Sequence, residues 1–222
     1  MRIAILGGTG DVGEGLALRW GADTDHTVVV GSRDAERAAD AAADYRERLA
    51  DRGHDATVEG AANADAVADA DAVVLAVPPY HVSDTVAAVA GDLSEGTVLV
   101  SPATGMKRDE DGFHYHRPGA GSVTRVAADA APDGVPVVGC FHNLAAGRLA
   151  DLDADLGIDT LVVADDDDAR ETVTDLAESI EGLRALDAGP VANAAEVESL
   201  TPLLINVAVN NDGLHDLGVS FD

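Results

Sequence analysis

The sequence predicts an α/β protein built on a doubly wound parallel sheet, with a smaller α/β part at its C-terminal end. Three observations predict it. Short apolar runs alternate with helix-period segments over most of the 222 residues. The runs are continuous rather than alternating, as strands are when helices cover both faces of a sheet. The first run, Ile3–Leu6, enters the turn Gly7-Gly8-Thr9-Gly10-Asp11-Val12-Gly13, which opens a helical stretch.

The elements follow in order. Ile3–Leu6 is the first strand and Asp11–Trp20 the first helix. Thr27–Val30 is a strand, and Asp34–Arg52 a long helix with Ala at most inward positions. Ala56–Glu59 is a weak strand and Asn63–Ala70 a short helix. Ala72–Val77 is a buried strand that Pro78-Pro79 stops. Val82–Ala90 is a helix and Thr97–Val100 a strand. From Ser101 to Gly121 the pattern fails, and the polar stretch Met106–Arg117 is expected to be a long loop, of the kind that is functional or disordered. Ser122–Ala131 is a helix capped by Ser122, Val135–Val138 a strand and Leu161–Val163 another. Ala169–Glu181 is a helix preceded by Asp165–Asp168, whose charge suits its N-terminal dipole. Leu183–Leu186 is a short strand, and Val191–Asn211 a long helix interrupted at Pro202.

Composition narrows the function classes. There are 41 Asp and Glu against 14 Lys and Arg, a formal net charge of −27, and Lys107 is the one lysine. The acids are spread over nearly every helical stretch, which is read as adaptation to a high-salt cytoplasm such as that of halophilic archaea. No basic stripe is present to neutralise phosphates, which disfavours nucleic-acid binding. No apolar run reaches the roughly 18 residues of a membrane span. The chain enters a strand at once, leaving no room for a signal peptide, and the single Cys140 fits a reducing compartment. A cytoplasmic location is expected.

The glycine turn carries the chemistry. Gly8-x-Gly10-x-x-Gly13, overlapping Gly7-x-x-Gly10-x-x-Gly13, lies between a strand and a helix at the N-terminus, the context of a dinucleotide fingerprint. Such glycines permit the tight turn, backbone approach to a pyrophosphate and close strand–helix packing. The helix N-terminus offers free N–H groups to the anion. Asp11 is expected to point outward or to cap the helix. At the end of the second strand, where an acid would bind a ribose 2′-hydroxyl, the chain has Ser32-Arg33. Ser32 can donate to a 2′-phosphate, Arg33 can pair with it while stacking on adenine, and Arg37 lies one helical turn on. Asp34 competes for a ribose contact. The cofactor is therefore expected to be NADP, held in a Rossmann-like fold.

Other polar residues stand at strand ends. Val77 ends a strand where doubly wound sheets approach the nicotinamide ribose, and Tyr80-His81 follow it. His114 and His116 lack partners at ligand spacing, so no metal is expected. His142, in Phe141-His142-Asn143, is the best candidate for a substrate-facing catalytic group, against the bland reading of a hydrogen-bonded structural histidine.

Gly7–Gly13, Val29–Arg33, Leu183-Arg184-Ala185-Leu186-Asp187-Ala188-Gly189-Pro190 and Glu198-Ser199-Leu200-Thr201-Pro202 together resemble the NADPH-dependent coenzyme F420 reductases, the deazaflavin:NADP oxidoreductases. The last two segments are the specific ones. The resemblance implies hydride transfer between nicotinamide C4 and deazaflavin C5. It places NADP contacts on Thr9, Gly10, Asp11, Val12, Ser32, Arg33, Arg37, Val77, Ala145 and Ala146. It implies an NADP-binding domain over residues 1–142 and a smaller part, 143–222, covering the coenzyme F420 cleft. Family habit and the apolar stretch Leu200–Val209 imply a homodimer. One departure is visible: related sequences carry His-Thr-Ile-Pro-Ala where this chain has His142-Asn143-Leu144-Ala145-Ala146. The competing readings are an NADP-dependent reductase of a small imine or keto acid, which needs a poised proton donor, and a non-catalytic NADP-sensing protein.

Overall fold

In the computed structural model, which describes residues 1–222, β1 (Arg2–Leu6) leads through the glycine turn into α1 (Asp11–Asp23). There follow β2 (Thr27–Ser32), α2 (Ala35–Ala50), β3 (Thr57–Ala62), α3 (Asn63–Val67), β4 (Ala72–Leu75), a 3-10 turn (Pro79–His81) and α4 (Val82–Val89). Next come β5 (Val98–Ser101), β6 (Met106–Asp109), β7 (Gly112–Tyr115), α5 (Val123–Ala130) and β8 (Val137–Gly139). The remainder is α6 (Ala146–Ala150), β9 (Ile158–Ala164), α7 (Asp167–Glu178), β10 (Leu183–Asp187), a second 3-10 turn (Val191–Asn193), α8 (Ala194–Glu198) and α9 (Leu200–Val209).

Eight strands form one sheet in the order β10-β9-β8-β5-β4-β1-β2-β3. The strand order reverses between β1 and β4, which opens a crevice at their C-terminal ends, the ligand position of such folds. One apolar layer lies under α1, α2 and α7, with Leu16, Tyr45, Leu49, Val173 and Leu176 against Ile3, Ile5 and Val30. The other lies under α3, α4 and α5, with Val67, Val86 and Ala127 against Leu6, Leu75 and Leu99. Each such fully buried aliphatic side chain contributes roughly 1.5–3 kcal/mol through the area it removes from water.

Three expectations are corrected. The sheet is not wholly parallel: β9 runs antiparallel to β8, with Val138 opposite Ala164 and Gly139 opposite Val163. The segment joining them contains a helix of five residues, α6, too short to carry the chain back across the sheet. β9 therefore starts where β8 ends. The Met106–Arg117 stretch is not a loop but a hairpin, β6–β7, turning at Glu110-Asp111, with Gly112 opening β7 at φ +123°. Asn206 of α9 ties it down, donating to Phe113 O at 2.6 Å and accepting from Phe113 N at 2.8 Å. The C-terminal helical stretch breaks at Ser199 rather than at Pro202. Pro202 sits in the first turn of α9, where a missing N–H costs nothing. Ser122 caps α5 as expected, accepting from Arg125 N at 3.0 Å.

Candidate functional site

The glycines of the turn are glycine for different reasons. Gly7 has φ +80°, and a Cβ there would stand 2.3 Å from Ala76 O. A Cβ on Gly8 would meet Ile5 O at 2.8 Å, and one on Gly13 would meet Gly8 Cα at 2.6 Å. These three are required by the fold itself. Gly10 is not: its φ of −102° suits any residue, and a Cβ would meet nothing nearer than Gly7 O at 3.3 Å. The absence of a side chain at Gly10 leaves space beyond the chain, where an anion can approach. Gly10 is also the N-cap of α1, without a side-chain cap, and the N–H groups of Asp11, Val12 and Gly13 have no backbone acceptor. Asp11 is exposed and does not cap. The turn is fastened from below by Tyr45 of α2, whose hydroxyl donates to Gly8 O at 2.9 Å.

Gly7, Thr9, Gly10, Ser32, Arg33, Arg37 and Val77 line one cleft of about 460 Å³ at the crevice between β1 and β4. Asn63, His81 and Asp84 complete its lining. Asp34, the competitor for a ribose contact, is engaged as the N-cap of α2: its Oδ1 accepts from Glu36 N at 3.0 Å and Arg37 N at 3.3 Å. Arg33 and Arg37 are exposed, and neither is paired with a carboxylate. In a chain of net charge −27 most arginines are engaged, as Arg48 is with Glu14 and Arg184 with Asp159. Two unpaired arginines beside one cleft suit a ligand with a terminal phosphate. The residues thus fit NADP: free helix N–H groups for a pyrophosphate, unencumbered space at Gly10, and two cations where a 2′-phosphate would lie.

Ala145 and Ala146 lie not in this cleft but in a second groove of about 490 Å³. Leu144, Thr201, Leu204, Ile205 and Leu214 line it with them, so its surface is mainly apolar. α6 packs on α1, where Gly15 leaves room for Leu149 and for Ala146 O, so this end of the groove lies against the helix that the phosphate turn opens. Thr201 Oγ1 donates to His142 O at 2.7 Å and lies 3.2 Å from Thr104 Oγ1, binding α9 to the ends of β5 and β8.

His142 does not face either groove. It is 3 % exposed, its Nε2 lies 3.3 Å from Thr124 Oγ1, and its Nδ1 has no partner. Burial holds its pKa down at about 3, so the ring is neutral. Thr124 Oγ1 donates in turn to Glu198 Oε1 at 3.1 Å. Glu198, wholly buried, also accepts from Thr124 N, Val123 N and the Tyr115 hydroxyl. Burial lifts the Glu198 carboxyl above its ordinary range, outweighing those donors. This network joins α5, α8 and the hairpin beneath the site. Phe141, at φ +67°, carries the backbone turn that delivers His142 and Asn143, and it is held edge-on to Trp20. His114 pairs with Asp109 at 2.9 Å on the hairpin. Sequence reasoning missed Tyr45, Asn63, Thr104 and Thr201 as site residues. Tyr45 had a signal, an aromatic among the alanines of α2, and Thr201 lay within the Glu198–Pro202 segment that carries the resemblance.

Comparison with known proteins agrees with this arrangement. Residues 2–105 match the family described as NADP oxidoreductase coenzyme F420-dependent. The F420-dependent NADP reductase of Methanothermobacter thermautotrophicus is 40 % identical over 95 % of this chain and 90 % of its own length. That of Methanocaldococcus jannaschii is 36 % identical over 94 % and 93 %. A crystal structure from Arthrobacter sp. FB24, assigned as an F420-dependent NADP-reductase, superposes with a TM-score of 0.78 at 25 % identity, over 100 % of this chain and 99 % of that one. A pyrroline-5-carboxylate reductase from Coxiella burnetii shares the fold at 16 % identity, with a TM-score of 0.61 over 97 % and 72 % of the two chains. The glycine turn, the free arginines and the apolar groove are therefore those of a chain that belongs to the family of F420-dependent NADP reductases.

Proposed function

We propose that this protein transfers a hydride, reversibly, between NADP(H) and coenzyme F420. The observation that carries the reading is the presence of two unlike recesses, a cationic cleft at the phosphate turn and an apolar groove whose Ala146 packs against the helix that this turn opens. When nicotinamide and deazaflavin are bound together, they supply the two-electron chemistry themselves. The chain supplies position and dryness. Thr9, Asp11, Val12 and Gly13 present N–H groups to the pyrophosphate, and Gly10, whose own N–H is held by Gly7 O, lets it approach. Ser32, Arg33 and Arg37 hold the 2′-phosphate. Gly8 and Val77 shape the turn side of the cleft, and Ala145 and Ala146 border the nicotinamide end. Leu144, Leu204 and Ile205 exclude water from the groove. His142, neutral and enclosed, acts by position: its carbonyl anchors Thr201, and its ring is fixed against Thr124.

Residues 1–142 hold NADP in this reading, and 143–222 form the cover of the F420 groove. No helix is long and apolar enough to cross a membrane. The acidic surface matches a salt-rich cytoplasm. Leu203 and Val209, 55 % and 68 % exposed on α9, are the face for a second copy in a homodimer.

The test is to mix the protein with NADPH and coenzyme F420 at molar salt and follow loss of the deazaflavin absorbance. Bleaching is expected; none, with folded protein, overturns the reading. An imine or keto-acid reductase would instead oxidise NADPH with those acceptors. Arg33→Ala is expected to weaken NADPH binding about 10- to 100-fold, one lost charge-assisted contact, while NADH binding stays within twofold.

A further inference from the structure

Asn63 is the first residue of α3 and lines the cationic cleft. β3 pairs in parallel with β2, Gly31 against Ala61 and Ser32 against Ala62. Asn63 therefore stands one residue beyond that pairing, beside the Ser32-Arg33 corner. Its carboxamide lies over Gly31, where a Cβ would come within 3.1 Å of Asn63 Oδ1 and 2.8 Å of Leu6 Cδ2. The glycine at position 31 is what lets the amide lie there. Asn63 Oδ1 is enclosed and has no hydrogen-bond partner. Its Nδ2 makes no hydrogen bond to the chain and is the accessible end of the amide in the cleft wall. Oδ1 is turned toward Gly31, which leaves the N–H end as the one that a ligand in the cleft can reach. A carboxamide pinned in this way presents two N–H donors to whatever fills the cleft.

We infer that Asn63 donates through Nδ2 to an oxygen of the NADP(H) 2′-phosphate, and so is a further determinant of NADP over NAD. This rests on the NADP reading of the cleft. Ser32, Arg33 and Arg37 approach that phosphate from the end of β2 and the start of α2; Asn63 reaches it from the end of β3. A neutral amide donor complements an anion, whereas the isosteric carboxylate repels it.

The experiment is calorimetric titration of wild type, Asn63→Ala and Asn63→Asp with NADPH, NADH, 2′-AMP and 5′-AMP at molar KCl. For Asn63→Ala a loss of about 10-fold in NADPH affinity is expected, with NADH within twofold. For Asn63→Asp the expected loss is about 100-fold or more, with NADH unchanged or tighter, and 2′-AMP falling in parallel with NADPH. NADH binding serves as the folding control for both variants. Equal losses for NADPH and NADH, or no loss for NADPH in either variant, overturn the inference. Failure of wild type to bind NADPH overturns the cofactor reading itself and separates the two.

Discussion

His142 shows how far burial decides a residue's role. Its pKa of about 3 lies below the ordinary 6.5 because an imidazolium there would be stripped of water. In the unfolded chain the ring titrates normally. Above pH 6.5 both states are neutral and the stability is complete; below it the unfolded chain binds a proton that the folded one refuses. Stability then falls by about 1.4 kcal/mol per pH unit until the folded pKa is reached. Urea unfolding of wild type and His142→Asn between pH 7 and 5 tests this. Wild type is expected to lose about 2 kcal/mol more than the variant over that interval, and equal slopes would sink the argument. The residue itself was visible in the sequence as a polar group at a strand end, but its orientation was not. Whether a strand-end histidine faces a cleft or the core depends on the left-handed turn at Phe141, which no spacing rule encodes. Ser32, Arg33 and Arg37 were legible because their place is set by the end of β2. Asn63 was not, because an unpaired amide can be recognised only once its surroundings exist.

At the level of elements, the hairpin is the informative miss. Its strands are four residues each, and β6 is exposed throughout, so neither burial period nor length marks it. The available signal was Gly112 directly after the polar pair Glu110-Asp111, a glycine where a turn followed by a positive-φ residue closes a hairpin. The pairing of α9 with β7 rests heavily on Asn206. Asn206→Ala removes both of its bonds to Phe113 and is expected to cost about 1–2 kcal/mol. Limited proteolysis within residues 106–117 reads it out: cleavage there should accelerate in the variant, and an unchanged digestion pattern would show that the hairpin is held elsewhere. The reversed β9 was illegible for another reason. Strand direction resides in the length of the connecting helix, and α6 is a single turn that apolar periodicity does not reveal.

The molecule as a whole carries 41 acidic residues on a 222-residue chain. Repulsion among them is screened within about 3 Å at 1 M salt, against about 10 Å at 0.1 M. The melting temperature is therefore expected to rise by about 10 °C between 0.1 and 2 M KCl, worth several kcal/mol at this size. A flat or falling melting curve would remove the high-salt reading. The strands β1 to β5 and the helices covering both faces were legible from the alternation alone, because parallel strands buried on both faces leave continuous apolar runs. The single sheet that extends from β3 to β10 also has a mechanical meaning. It is one hydrogen-bonded plate shared by residues 1–142 and 143–222, the parts proposed to hold NADP and to cover the groove, so a hinge between them would have to break the pairing of β8 with β9. Traffic of ligands through the proposed groove then falls to α9, which is held through side chains, Thr201 on His142 O and Asn206 on the hairpin, whereas the segment after it is pinned to β9 by Val219 O accepting from Asp159 N at 2.7 Å.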